Sequence, residues 1–333
     1  MDYRIEAPPV IRGFLTYHET IKGHSKKTVD EYYLDLRMFF RYLKIEKGRV
    51  LRATPLEEIS ISDIDLDFVK SVTLSDVYDF LSYLARDKAK HVNSRDTEYG
   101  LGANARARKI ATIRSYYKYL TVKTKQLSEN PVSDLDSPKV MKTLPRYLTL
   151  NDSMALLNSV DGPNKERDFC ILTIFLNCGL RISELVGLNL ADIRADSLRV
   201  VGKGNKERVV YLNDACAGAI NDYLLIRKSI AAVDNRAFFL SSRRVRISKS
   251  TVHSLVKKHI TAAGLDSSKY SAHKLRHTAA TLMLHSGVDI RTLQELLGHE
   301  HLNTTEIYTH VESEDLRSAA ARSPLSEFKQ KIK

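Results

Sequence analysis

The stretch from Ser25 to Leu43 constrains the fold more than any other. Behind a Ser/Thr cap region, Val29, Tyr32, Tyr33, Leu36, Phe39, Phe40 and Leu43 recur at helical spacing. A segment with that period presents one apolar face for burial and leaves the other to water. The same period runs through Ile11, Phe14, Leu15 and His18, through Thr73 to Ala85, and through Asn104 to Leu120. In the last of these, Ile110, Ile113, Tyr116, Tyr117 and Leu120 point inward, while Arg106, Arg108, Lys109, Arg114 and Lys118 lie elsewhere around the helix. Residues 10 to about 138 therefore read as mainly helical. Between Arg86 and Ala103 the chain is polar and irregular, a surface loop.

Pro131, Pro138 and Pro145 punctuate a polar stretch that reads as a linker. Beyond it helices are expected from Asn151 with Met154, Leu156 and Leu157, over Lys165 to Asn177, Arg181 to Leu188, Ala215 to Lys228 and Ser250 to Ala263. One β signal interrupts them. Arg199 to Val210 places two β-branched runs around the turn Gly202-Lys203-Gly204-Asn205. With 333 residues the chain can hold two substantial cores. The expected fold is mainly α in two domains: a helical unit over residues 1–138, a linker over 139–148, and an α+β unit over 149–333 with a small β-hairpin. After His310, Leu316 to Ala321 and Leu325 to Ile332 flank a Ser323-Pro324 break, ending in an amphipathic segment.

No apolar run is long enough to span a membrane, and Met1-Asp2-Tyr3-Arg4 does not open a signal peptide, so a cytoplasmic protein is expected. Cys170, Cys178 and Cys216 have neither metal-ligand spacing nor the density of a disulfide scaffold, and read as reduced structural thiols. None of the 11 histidines pairs closely with a cysteine, so no metal is implied. The formal net charge of +12 favours an anionic partner, with nucleic acid the best candidate. The basic residues of the Asn104 to Leu120 helix fit phosphate contact along a DNA groove as well as they fit a solvated face.

Chemistry-bearing residues concentrate between His273 and Tyr308. His273 and Arg276 are three apart, so on a helix they share a face and can grip one anion together; His277 takes a neighbouring heading. Leu293, Leu296 and Leu297 form an apolar stripe that Gly298 terminates, which puts His299 just past a helix end. Tyr308 follows after Asn303, Thr304 and Thr305, any of which could cap a short helix. A phenol with a pKa near about 10 is a poor nucleophile and needs activating neighbours. Arginines neutralise a pentavalent phosphate, and histidines move protons or donate hydrogen bonds to it. Taken singly, each residue has a bland role, and Tyr308 is one of 16 tyrosines.

Together, His273-x-x-Arg276, Leu296-Leu297-Gly298-His299 and Tyr308 resemble the tyrosine recombinase family, most of all its Xer-type members. The resemblance extends to Cys178-Gly179-Leu180-Arg181-Ile182-Ser183-Glu184-Leu185, similar to the family's first catalytic arginine motif, and to Lys203 in the hairpin turn. It covers about 145 to 312 with specific motifs and the first ~140 residues more loosely. It implies a SAM-like core-binding domain carrying Lys22, Lys26 and Lys27 beside the basic helix, and a catalytic domain in which Arg181, Arg276, His273 and His299 cage a scissile phosphate. Tyr308 would attack it, giving a 3′-phosphotyrosyl link. Lys203, rather than Lys206 of the same turn, would be the general acid, and Glu184 would orient the cage.

By the same resemblance no cofactor is needed, because the covalent link conserves the phosphodiester energy. The partners would be a double-stranded recombination site, three further protomers in a homotetramer or in a heterotetramer with a related recombinase, and in some systems a DNA translocase. Exchange would pass through a four-way junction. A type IB topoisomerase uses similar chemistry on one duplex, and a non-catalytic DNA-binding protein would keep the basic faces. Chromosome-dimer resolution, mobile-element integration and a phase switch are not separated by these residues.

Overall fold

The computed structural model describes residues 3–89, 98–138, 146–202, 204 and 206–298, and its contacts separate two units, Met1–Lys142 and Thr143–Lys333. The N-terminal unit contains α1 (Tyr3–Glu6), α2 (Pro9–Thr16), α3 (Lys26–Glu46), α4 (Leu66–Lys70), α5 (Leu74–Arg86) and α6 (Ala103–Lys118). Ser25 Oγ accepts the Thr28 N–H at 3.3 Å to start α3. A reciprocal pair, Asp76 N–H to Thr73 Oγ1 and Thr73 N–H to Asp76 Oδ2, starts α5. Helix α2 opens on a proline, whose missing N–H leaves nothing unsatisfied in a first turn.

The helical period becomes burial. Val29, Tyr33, Leu36, Phe39, Phe40 and Leu43 of α3 meet Val77, Phe80 and Leu84 of α5 and Ile110, Ile113, Tyr116 and Tyr117 of α6 in one core. The Phe39 and Phe80 rings meet edge to face at 5.1 Å. Each such side chain contributes on the order of 2 kcal/mol by leaving water. Tyr32, of the same stripe, is only half-buried and lies edge-on to His18. Helices α2 and α6 both run on into a single π-type turn, Tyr17–Ile21 and Tyr119–Lys123, where the amide of Lys22 or Thr124 reaches back five residues. Leu127, Val132 and Leu135 return to this core, so Pro131 lies within the folded unit.

The second unit contains α7 (Leu150–Asn158), α8 (Lys165–Cys178), α9 (Ile182–Gly187), β1 (Ser197–Val201), β2 (Glu207–Tyr211), α10 (Asp214–Ser229), α11 (Lys249–Ala262), α12 (Ala272–His285) and α13 (Ile290–Leu297). Helix α8 is apolar nearly all round and packs against both α10 and α12, as a central core helix does. Strands β1 and β2 pair antiparallel with Val200 opposite Arg208, and the Gly202 N–H bonds to the Lys206 carbonyl at 2.7 Å to narrow the turn. Leu198, Val200 and Val210 face inward, while Val201, Val209 and Tyr211 are exposed. All three cysteines are buried free thiols, with Cys178 and Cys216 sulfurs 3.7 Å apart. The fold is thus mainly α with one small antiparallel sheet. Among the described residues no helix is long and apolar enough to cross a membrane.

Candidate active site

Helix α8 stops where Gly179 takes the left-handed conformation, φ +58°, and turns the chain sharply. A Cβ there would stand 2.7 Å from Leu297 Cδ2, so this close approach admits only glycine. Leu180 is then fully buried, and Arg181 becomes the cap residue of α9. Glu184 reaches back to it twice. Its Oε2 accepts the Arg181 backbone N–H at 2.8 Å, and its Oε1 accepts from Arg181 Nη1 at 2.8 Å. Glu184 thereby sets both the backbone and the guanidinium of Arg181.

Arg276 arrives from α12 and is buried to 2% exposure. Its Nη1 donates to the Gly179 carbonyl at 2.6 Å and its Nη2 to the Leu297 carbonyl at 2.7 Å, and Nη1 lies 3.9 Å from Glu184 Oε2. Arg181 Nη2 donates to the Gly298 carbonyl at 2.9 Å. The two arginines therefore converge on the end of α13, whose last carbonyls lack helical donors and carry the negative end of the macrodipole. Gly298, at φ +63°, ends that helix as expected.

His273 shares α12 with Arg276 but not its burial. Its ring lies 3.1 Å, nitrogen to nitrogen, from that of His277 one turn on. The two histidines act as neighbours, although the spacing had set His277 apart. Partial burial first, and then the positive charges of Arg276, Lys274 and Arg181, hold the His273 imidazole below the usual histidine range. Burial would raise the Glu184 carboxyl, but the hydrogen bonds from Arg208 and the Arg181 backbone outweigh it and hold it below the usual glutamate range.

Arg208 was not among the residues singled out from the sequence. Its Nη1 and Nη2 donate to Glu184 Oε1 and Oε2 at 2.9 and 3.0 Å, and its Nε donates to the Leu296 carbonyl at 3.2 Å. A signal existed. Arg208 stands two residues before Val210 and opposite Val200, hence on the inward face of the hairpin, where an arginine requires a buried anion.

Lys203, His299 and Tyr308 lie outside the described residues. In the N-terminal unit Lys22, Lys26, Lys27 and Lys118 are exposed, Arg114 donates to Ser137 Oγ at 3.0 Å, and Arg106 is half-buried. Lys109 departs from the expected basic face. It is buried, 2.7 Å from the carboxylate of Asp35, which Arg108 and Thr112 also contact. Lys109 is thus occupied in tying α6 to α3 and presents no ammonium to solvent, because a buried Asp35 requires a partner.

Guanidinium groups from the cap of α9, from β2 and from α12 thus gather about one buried carboxylate, in a mainly helical unit that carries a hairpin. The model of the phage integrase family matches residues 146–315. Tyrosine recombinase XerC of Caldanaerobacter subterraneus subsp. tengcongensis is 51% identical over 324 residues, covering 97% of this chain and 89% of that protein. Tyrosine recombinase XerD of Proteus mirabilis is 33% identical over 314 residues, covering 92% and 90%. Among solved structures, the XerH site-specific recombinase bound to difH substrate in a pre-cleavage complex shares the fold with TM-score 0.64 at 22% identity, covering 94% of this chain and 84% of that one. A lambda integrase(75-356) dimer bound to a COC′ core site gives TM-score 0.59 at 20% identity, covering 88% of this chain and 96% of that one. The chain belongs to the phage integrase family and, within it, to the Xer-type tyrosine recombinases. It is accordingly a DNA strand-transferring enzyme of site-specific recombination.

Proposed function

We propose that this chain cleaves and rejoins double-stranded DNA at a specific site through a 3′-phosphotyrosine intermediate. The observation that carries the reading is the convergence of Arg181 and Arg276, from separate helices, about Glu184. Their charges match the non-bridging oxygens of one phosphate, and His273 and His299 complete the cage. The Tyr308 phenol oxygen attacks phosphorus, and the P–O5′ bond breaks. His273, whose imidazole partial burial and the nearby positive charges hold below the usual histidine range, takes the phenol proton, and Lys203 protonates the departing 5′-oxygen. No nucleotide or metal enters these steps, because the phosphotyrosyl bond retains the energy that religation uses.

The N-terminal unit supplies the DNA grip through Lys22, Lys26, Lys27, Arg106, Arg108, Arg114 and Lys118. Lys26 and Lys27 occupy the first turn of α3, where the macrodipole disfavours cations, so a phosphate close by would relieve a local cost. The 139–148 stretch joins the clamp to the 149–333 catalytic unit. Four protomers, identical or paired with a related recombinase, would act in the cytoplasm on two sites through a Holliday junction. The process served would be chromosome-dimer resolution, where a DNA translocase is a natural accessory, or mobile-element integration and excision.

The test is to recover DNA covalently attached to the protein in its native genome, sequence it, and incubate the recovered site as a nicked duplex with wild type and Tyr308→Phe. Wild type should form a denaturant-resistant adduct and Tyr308→Phe none. An adduct of equal yield in both would mean that another residue attacks.

A further inference from the structure

We propose that Arg208 is a positioning residue of the strand-transfer reaction, a third arginine that neutralises Glu184 so that Arg181 and Arg276 keep their charge for the phosphate. The inference rests on the proposed phosphate cage and adds a residue to it. A carboxylate hydrogen-bonded to Arg181 at 2.8 Å and 3.9 Å from Arg276 sets those side chains in place, but by itself it also cancels part of their pull on an anion. Arg208 engages both oxygens of that carboxylate in the two-pronged geometry that suits a guanidinium and not an ammonium. Among the described residues, three guanidinium charges against one carboxylate leave the group at +2, and without Arg208 it falls to +1. Glu184 is buried, its side chain 2% exposed, so water cannot substitute for the missing cation.

Arg208 also joins three pieces of chain that catalysis must hold in register. It is anchored on β2, at the far side of the turn that carries Lys203, and it grips Glu184 at the start of α9. Through Nε it holds the Leu296 carbonyl at the end of α13, three residues before His299. Gly298 leaves room for it: a Cβ there would lie 3.1 Å from Arg208 Nη1 and 3.2 Å from Cδ and Cζ. The left-handed glycine that ends α13 therefore also admits the third guanidinium.

The experiment uses the full chain and the nicked duplex bearing the recovered site, and it measures the rate of adduct formation for Arg208→Gln, Arg208→Lys and the double variant Arg208→Gln/Glu184→Gln. Thermal unfolding is followed in parallel. Arg208→Gln should be slowed about a hundredfold, the scale of losing one preorganised charge at a phosphoryl site. Arg208→Lys should fall between, since it keeps the charge and loses the fork. The double variant should be faster than Arg208→Gln, because the uncompensated carboxylate charge is gone, but slower than wild type, because the positioning that Glu184 gives Arg181 is weakened. A double variant no faster than folded Arg208→Gln, or Arg208→Gln at the wild-type rate, overturns the proposal. Should Arg208→Gln fail to fold, Arg208→Lys decides: a rate below wild type is expected, and the wild-type rate overturns the proposal. A wild-type protein that forms no Tyr308-dependent adduct defeats the underlying reading instead, and that control is complete before any Arg208 variant is compared.

Discussion

Lys109 Nζ lies 2.7 Å from Asp35 Oδ1, with side-chain exposures of 6% and 0%, so a lysine on a basic helix is held inside the protein. Lys109→Ala should therefore lower stability by about 2 kcal/mol, the cost of losing a charged hydrogen bond while Arg108 and Thr112 still hold Asp35, read from the urea midpoint. Lys118→Ala, at an exposed position of the same helix, should leave the midpoint within about 0.5 kcal/mol. It should instead weaken DNA binding and reduce the slope of log K against log salt by about 1. An unchanged slope with Lys118→Ala would remove that residue from the DNA contact.

Gly179 is a second point where a small change should have a large effect. A methyl group there meets Leu297 Cδ2 at 2.7 Å in a left-handed backbone, and the Gly179 carbonyl holds Arg276. Gly179→Ala should lower stability by about 2 kcal/mol from strain and overpacking. Adduct formation should fall further than the loss of folded protein explains, because Arg276 loses its seat. Equal losses of folded fraction and rate would assign Gly179 to the fold alone.

His18 makes the N-terminal unit sensitive to acid. Burial, then the charges of His24 and Lys22, lower its pKa to about 4 from 6.5, and its Nδ1 lies 3.2 Å from His24 Nδ1. Because the unfolded chain binds this proton more readily, the neutral ring's contribution is fully present above pH 6.5. It is lost as pH falls from 6.5 towards 4. Relative to His18→Asn, wild type should lose on the order of 3 kcal/mol across that window, measured by urea unfolding at several pH values. Parallel curves would show that His18 does not titrate between those limits.

For Lys203 the leaving group is the test. Lys203→Ala should slow cleavage strongly on an ordinary phosphodiester and little on a substrate with sulfur at the 5′-bridging position, since a thiolate leaves without a proton. Arg276→Ala should stay impaired on both, because its charge acts on non-bridging oxygens. Rescue of Lys206→Ala instead would move the acid along the turn.

Adduct formation should persist in excess chelator without nucleotide, since no step of the proposed reaction uses either. Restoration by a divalent ion after a chelation loss would overturn that.

The longer helices were legible in the sequence because they carry their own evidence, an apolar period, the cap region at Ser25 and the Gly298 stop, whereas the short α1 and α4 carry too few residues to show a period. Such signals act within a turn or two of chain, so reading them needs no knowledge of neighbours. Arg181 and Arg276 stood out in the sequence for a different reason, through the motifs that accompany them, and the structure brings their side chains to one carboxylate. What the linear order could not state is which charges meet. Arg208 and Glu184 stand 24 positions apart, and only the packing of the hairpin over the start of α9 brings a guanidinium onto that carboxylate. Lys109 looked like its basic neighbours until α3 placed the buried Asp35 against it, 74 positions away. Local periodicity determined the elements of this protein, and tertiary packing decided which of its charges are paired in the interior and which face outward, because desolvation depends on neighbours the sequence does not adjoin.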